Sequence, residues 1–178
     1  MVTTPKFSFV GGALCLDFIN TVGTRKKGEL IREKLRSPDD LKRWAAGAGI
    51  ACGMPRTLAR AIALREALFR ICTSTLDGRA PAENDLAVLN RELGRAQLRY
   101  TGGAFRVSEE ASLLGVIARS AVDLLTSDEL ARLRRCGGVD CGWLFLDTSR
   151  NGSRQWCDMR VCGNRAKARA FRERARKT

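Results

Sequence analysis

The chain has 178 residues, is 44% hydrophobic and carries a formal charge of +13. This length suits one ordinary domain, or a domain plus a small module, with enough apolar content to bury a core. No run of about 18 apolar residues occurs, so no membrane span is readable. The start, MVTTPKFSFVGG, lacks the features of a signal peptide, and a cytoplasmic protein is expected.

In chain order, Phe7 to Val10 reads as a short strand before Gly11-Gly12. Leu14, Cys15, Phe18, Ile19 and Val22 then recur with helical spacing. Thr24 to Glu29 (TRKKGE) is polar and reads as a loop. Ser37-Pro38-Asp39-Asp40 is a helix start, with a hydroxyl cap, Pro in the first turn and acids at the positive end. That helix should run to about Ala46, where Gly47 and Gly49 stop it.

Pro55 is expected to open a longer helix ending at Asp77-Gly78, with Leu58, Ala61, Ile62, Leu68, Phe69, Cys72 and Leu76 along one stripe. Pro81 should open another, with Leu86, Leu89, Asn90 and Leu93 inward. Residues 98–107 read as a hairpin across Gly102-Gly103. Ser108 is the expected cap of the next helix, whose buried face is Leu113, Leu114, Ile117, Ala121, Leu124 and Leu125. A last short helix should start at Ser127 and end in Arg134 and Arg135. The expected fold is mainly α with short β-hairpins: a multihelical domain over residues 1–131 and a small cysteine-bearing module over 132–178. No long linker separates them, so the two pieces should pack together.

Four of the seven cysteines form two pairs, Cys136 with Cys141 and Cys157 with Cys162, separated by fifteen residues. Zinc takes four soft ligands in a tetrahedron, about 2.3 Å from each sulfur. Gly137-Gly138 permits the tight backbone that would aim the first pair at one ion. Five residues on a continuous helix rotate side chains apart, so Cys157 should precede a helix and Cys162 lie near its start. Between the pairs, Trp143 to Leu146 is strand-like, Asn151-Gly152 is a turn signal, and Arg154 to Trp156 is expected to return. Knuckle, hairpin and helix is a treble-clef-like layout, with Trp143, Phe145 and Trp156 as its small core. The competing readings are disulfides or an iron–sulfur cluster. With no His in the chain and no ligand position left for water, one structural zinc per chain is expected, not a catalytic one. Cys15, Cys52 and Cys72 lie among apolar residues and read as small buried hydrophobes.

The charge is uneven. Residues 132–178 carry thirteen Lys or Arg against four Asp or Glu, a net of +9, which leaves +4 for the first 131. Such asymmetry points to a polyanionic partner for the C-terminal piece. On the helix after Cys162, Arg165, Arg169, Arg172 and Arg176 fall on one stripe, with Lys167 and Arg174 on the far side. Ala168, Phe171 and Ala175 form an apolar stripe expected to pack on the hairpin. Asn164 reads as a structural hydrogen-bonder near the knuckle. Arg150 and Arg154, from the hairpin turn, are candidates for further backbone phosphate contacts.

WLFLDTSRNGSRQWC followed by CGNRAKARAFR resembles the CGNR zinc finger, named for the run Cys162 to Arg165. The four cysteines match that family's ligands. Arg154-Gln155-Trp156 stands where the pattern has Arg-Arg-Trp, which implies one basic contact fewer. Gly12-Ala-Leu-Cys-Leu-Asp17-Phe-Ile-Asn20-Thr21 resembles the start of the ABATE domain that precedes this finger. The resemblance implies a bacterial, stress-linked transcription regulator. Asp17, Asn20 and Thr21 are the polar residues of that motif: candidates for a small-molecule pocket, or caps on neighbouring backbone.

The expected function is a zinc-dependent DNA-binding regulator, its N-terminal domain sensing a small-molecule effector or forming a homodimer. The alternative is a zinc-stabilised protein- or RNA-interaction module. An enzyme is not expected: His is absent, as are a phosphate-binding glycine loop and any nucleophile–base pair in the motif regions.

Overall fold

A computed structural model of the chain describes residues 6–26, 29–94, 97–101, 104–108 and 112–176, with 97–101 and 104–108 as backbone alone. Six helices and three two-stranded antiparallel sheets appear among these residues. The first helix, α1 (Leu14–Ile19), is short and almost wholly buried. It packs on α3 (Leu58–Leu76) and α5 (Leu113–Leu125); α4 (Glu83–Leu93) lies against those two, and α2 (Pro38–Gly47) brings Trp44 to Phe18. The core is built on Leu16, Phe18, Trp44, Leu64, Leu68 and Ile117, all fully buried. Trp44 packs on Phe18 with ring centroids 5.0 Å apart. Each such side chain contributes roughly 1.5–3 kcal/mol by leaving water.

Local signals hold where the hydrogen bond they predict is local. Ser37 accepts from the Asp40 backbone N–H and Pro38 opens α2. The hairpin of β3 (Gln97–Thr101) and β4 (Ala104–Ser108) pairs Leu98 with Val107; its Gly102-Gly103 connection lies outside the described residues. The α5 face is buried as expected at Leu113, Leu114, Ile117, Ala121 and Leu124, with Ala118 added and Leu125 half-buried.

Several boundaries move. Pro55 lies before α3, which is capped by Thr57 through the Arg60 N–H. Pro81 lies two residues before α4, and α5 is capped by Ser112 rather than Ser108. Phe7 to Val10 has no ladder; Gly11 instead accepts a single bond from Leu146 N–H at 2.8 Å. Val22 leaves the helix to open β1 (Val22–Lys26), which pairs with β2 (Glu29–Glu33). The polar TRKKGE segment is thus largely strand, because Arg25 is buried against a distant carboxylate, Glu66. Leu86 and Asn90 face solvent, while Asp85, Leu89 and Glu92 are buried. Two arginines of α3 turn α4 this way: Arg70 pairs with Asp85 at 2.6 Å and Arg60 with Glu92 at 2.8 Å.

The C-terminal piece joins the same core. After a 3-10 turn (Asp128–Arg132), Arg134 and Arg135 belong to β5 (Leu133–Arg135), which pairs with β6 (Leu144–Leu146). The cysteine knuckle is the loop of this hairpin. Leu133, Leu144 and Leu146 are buried with the helices. Residues 154–156 form no strand; they run beside the knuckle, where Gly137 N–H donates to Gln155 O at 2.9 Å. A π-helical turn (Met159–Gly163) then leads into α6 (Asn164–Ala175). Among the described residues, no helix is long and apolar enough to cross a membrane.

Candidate metal centre and basic helix

Two structural devices bring the cysteines together. The β5–β6 hairpin presents Cys136 and Cys141 from its loop. The entry to α6 presents Cys157 just before the π-helical turn and Cys162 within it. All four sulfur atoms lie within 4.8 Å of one another. Cys157 Sγ is 3.6 Å from Cys141 Sγ and 3.7 Å from Cys162 Sγ. A tetrahedron of sulfurs about 2.3 Å from one ion has edges of roughly 3.8 Å, so the quartet has the size of a zinc site. A disulfide needs about 2.05 Å; all seven cysteines are free.

The backbone is shaped to the cluster. A Cβ on Gly138 would come within 3.1 Å of Cys141 Cβ and 3.3 Å of Cys162 Sγ. Cys136 Sγ accepts from the N–H groups of Gly138 at 3.4 Å and Cys157 at 3.3 Å. Hydrogen bonds from Cys141, then Cys157, hold Cys136 far below the ordinary thiol range. Its negative charge crowds the others. Cys141 is pushed up to about 12, first by Cys136, and Cys157 is raised by Cys136 and then Cys141; in Cys162, burial leads. Four thiols this close cannot all ionise without a cation between them, and a divalent ion supplies that charge. The predicted small core also forms: Phe145 is fully buried, with Trp143 and Trp156 packed beside the cysteines.

Away from this cluster, Cys15 and Cys72 are buried, which lifts their thiols to about 11 and about 12. Cys52 is only half-buried.

A family model described as "Putative stress-induced transcription regulator", ABATE, matches residues 12–128. The chain belongs to the ABATE family. A second model, the CGNR zinc finger, matches residues 132–175 and so contains all four cysteines. None of the curated proteins matches the chain. With the sulfur geometry, the finger assigns the cluster to one structural zinc, held by Cys136, Cys141, Cys157 and Cys162.

The polar residues of the ABATE segment bond to backbone, Asp17 and Thr21 locally and Asn20 across a seam to β6. Asp17 accepts from Gly11 N–H at 2.8 Å. Thr21 donates to Phe18 O at 2.7 Å. Asn20 donates to Leu144 O at 2.8 Å and accepts from Leu144 N–H at 3.1 Å. The Asn20 pair ties the end of α1 to β6, while Asp17 and Thr21 bond to backbone beside them, and none of the three residues lines either cleft beside the finger. Further ties cross the seam: Trp143 Nε1 donates to Val22 O at 3.1 Å, and Arg25 N–H to Cys141 O at 3.2 Å. Asn20→Ala would leave both backbone groups of Leu144 buried and unpaired, at roughly 1–3 kcal/mol each. We expect the stability of the protein to drop by about 2–6 kcal/mol, seen as a lower urea midpoint. An unmoved midpoint would show that the seam is held elsewhere.

The structure also redistributes the basic residues. Arg154 does not face solvent freely: its guanidinium donates to Leu146 O, Val10 O, Trp156 O and Cys157 O, and stacks 4.4 Å from the Phe145 ring. It clasps the finger to the N-terminal segment. Asp147 completes the clasp, accepting from Ser149 N–H and Oγ–H and from Arg154 N–H. The Asp-x-Ser run was a readable turn signal for that role. Arg150 is exposed at the turn.

Helix α6 has no buried residue. Asn164 is tied into it, donating to Arg160 O at 3.1 Å. Ala168, Phe171 and Ala175 do not pack on the hairpin; all three are exposed, Phe171 at 68%. Instead Ala166, Ala170 and Glu173, with Arg165 and Arg169, border a cleft of about 200 Å³ against the knuckle. Small alanines let the helix lie near Gly137 and Trp156, and the bulky Phe171 is left outside.

Proposed function

We propose that this protein is a transcription regulator that binds DNA through the zinc-anchored helix α6. The observation that carries the reading is that α6 projects five basic residues and one acid from a metal-fixed base while burying none of its own side chains. A helix with so little packing has little reason to persist unless a partner covers it, and its charge selects a polyanion. The described family, a transcription regulator, favours DNA among polyanions. Zinc has a structural part: it fixes where α6 starts and which way it points. Lys167, Arg172 and Arg176 are the proposed outer phosphate contacts, with Arg165, Arg169 and Arg150 at the margin. Arg154 is excluded because its donors are already used by carbonyl groups.

The test is salt-dependent binding of zinc-loaded protein to duplex DNA. Each neutralised phosphate adds about 0.9 to the slope of log K against log salt. Lys167→Ala with Arg172→Ala should lower affinity at low salt at least tenfold and reduce that slope by about two, with zinc content unchanged. Undiminished binding by the double variant would remove α6 from the interface. Tighter binding to structured RNA than to duplex DNA would favour the RNA-interaction reading.

A further inference from the structure

The orientation of α6 carries more than its charge. At about 100° per residue, Ala166, Ala170 and Glu173 face the knuckle, as the cleft between them requires. The opposite face is therefore Ala168, Phe171 and Ala175, which is exposed throughout. This outward ridge has a basic wall on each side: Lys167 and Arg174 on one, Arg165, Arg172 and Arg176 on the other. The single acid of the helix, Glu173, is on the side turned away.

We propose that the ridge reads bases: α6 lies in the major groove of duplex DNA with Phe171 against thymine 5-methyl groups. Ala168 and Ala175 allow close approach on either side of it, while the two basic walls meet the two phosphate strands. This rests on the DNA-binding reading above. The dimensions agree. A helix about 10–12 Å across fits a groove about 12 Å wide, and twelve residues span about 18 Å, or roughly five base steps. In that groove the distinguishing apolar feature is the thymine methyl. A basic wall on each side also selects the partner. A second copy of α6 would set like charges against each other, and the major groove of A-form RNA is too deep and narrow to admit the helix. Phe171, 68% exposed without DNA, is covered in the complex.

The experiment is selection of bound sites from a random duplex library by the full zinc-loaded protein. Each selected thymine is then replaced by deoxyuridine, which removes only the methyl group. For the native protein, selected sites should contain thymine at one or two fixed positions, and each methyl removed should weaken binding about fourfold, as burial of one methyl-sized group predicts. Phe171→Ala should bind thymine and deoxyuridine sites equally well while keeping zinc content and the salt slope, because it removes no charge. An unchanged thymine-to-deoxyuridine ratio in that variant, or selected sites without fixed thymines, overturns the ridge as a reader and leaves the DNA-binding reading intact. No retention of any duplex overturns both.

Discussion

Exchanging Cys157 for Ser should remove the metal and unsettle far more than the finger. Zinc, measured by atomic absorption, should fall from one per chain to near none, because a hydroxyl does not replace a thiolate as a soft ligand. In zinc-finger peptides the metal supplies about 10–16 kcal/mol of apparent folding energy at neutral pH. That energy holds the loop between β5 and β6, whose residues Leu133, Leu144 and Leu146 lie in the main core. Loss of the ion therefore loosens one wall of the helical domain, and Asn20 loses its fixed partner at Leu144. We expect the thermal transition of the whole chain to move down sharply and broaden. Chelation of the native protein should do the same, and so should acid. Each ligand sheds its proton to bind zinc, so affinity falls as pH drops. Cys52→Ser, half-buried and outside the cluster, should keep a full zinc equivalent. Stoichiometric zinc in the Cys157 variant would refute the four-sulfur site.

How much of this was legible follows from where the physical causes lie. The metal centre was readable because ligand spacing is itself the chemistry: two cysteine pairs, a glycine knuckle and a helix start leave few ways to surround an ion. Ser37 and Pro38 were readable because their bonds are made within one turn. TRKKGE was not. Arg25 belongs in a strand because Glu66, 41 residues away, accepts both of its terminal nitrogens at 2.8 Å. Nothing local to residues 24–29 carries that information. The α4 face failed in the same way: a polar face became the inner one because Arg60 and Arg70 of α3 reach across to it. For α6, periodicity showed the stripes correctly but could not say which faced inward. The knuckle decides that, and it accepts alanines. The motif of Asp17, Asn20 and Thr21 was legible as polar residues on a buried segment, while the backbone groups awaiting them at Gly11 and Leu144 were not.

Removing one arginine buried beside the seam should cost at least as much as removing Asn20. Arg65 is fully buried and donates to Glu33 through both terminal nitrogens at 2.6 Å, and to Glu66 at 2.8 Å. Glu66 is shared with Arg25, whose guanidinium carbon lies 3.8 Å from the Phe69 ring centroid. The order Arg25, Glu66, Arg65, Glu33 alternates in sign, so each carboxylate is balanced. Arg65→Met keeps the apolar stem but takes away the arginine that Glu33 accepts from and leaves Glu66 with Arg25. Breaking a buried pair from one side costs about 3–5 kcal/mol, and we expect a loss of that size in denaturant unfolding. The pH profile distinguishes loss of charge from loss of packing. Burial alone would raise the Glu66 carboxyl, but hydrogen bonds and charge from Arg25, then Arg65, hold it below the usual range. The unfolded chain therefore binds a proton at higher pH than the native one. The pair's contribution is complete above the unfolded value, about 4.3, and is lost as pH falls through the lower native value. The native protein should thus lose stability as pH drops below about 4. Arg65→Met, with that depression weakened, should lose less over the same interval. Parallel profiles for the two proteins would mean that Arg65 acts through its bulk and not through its charge.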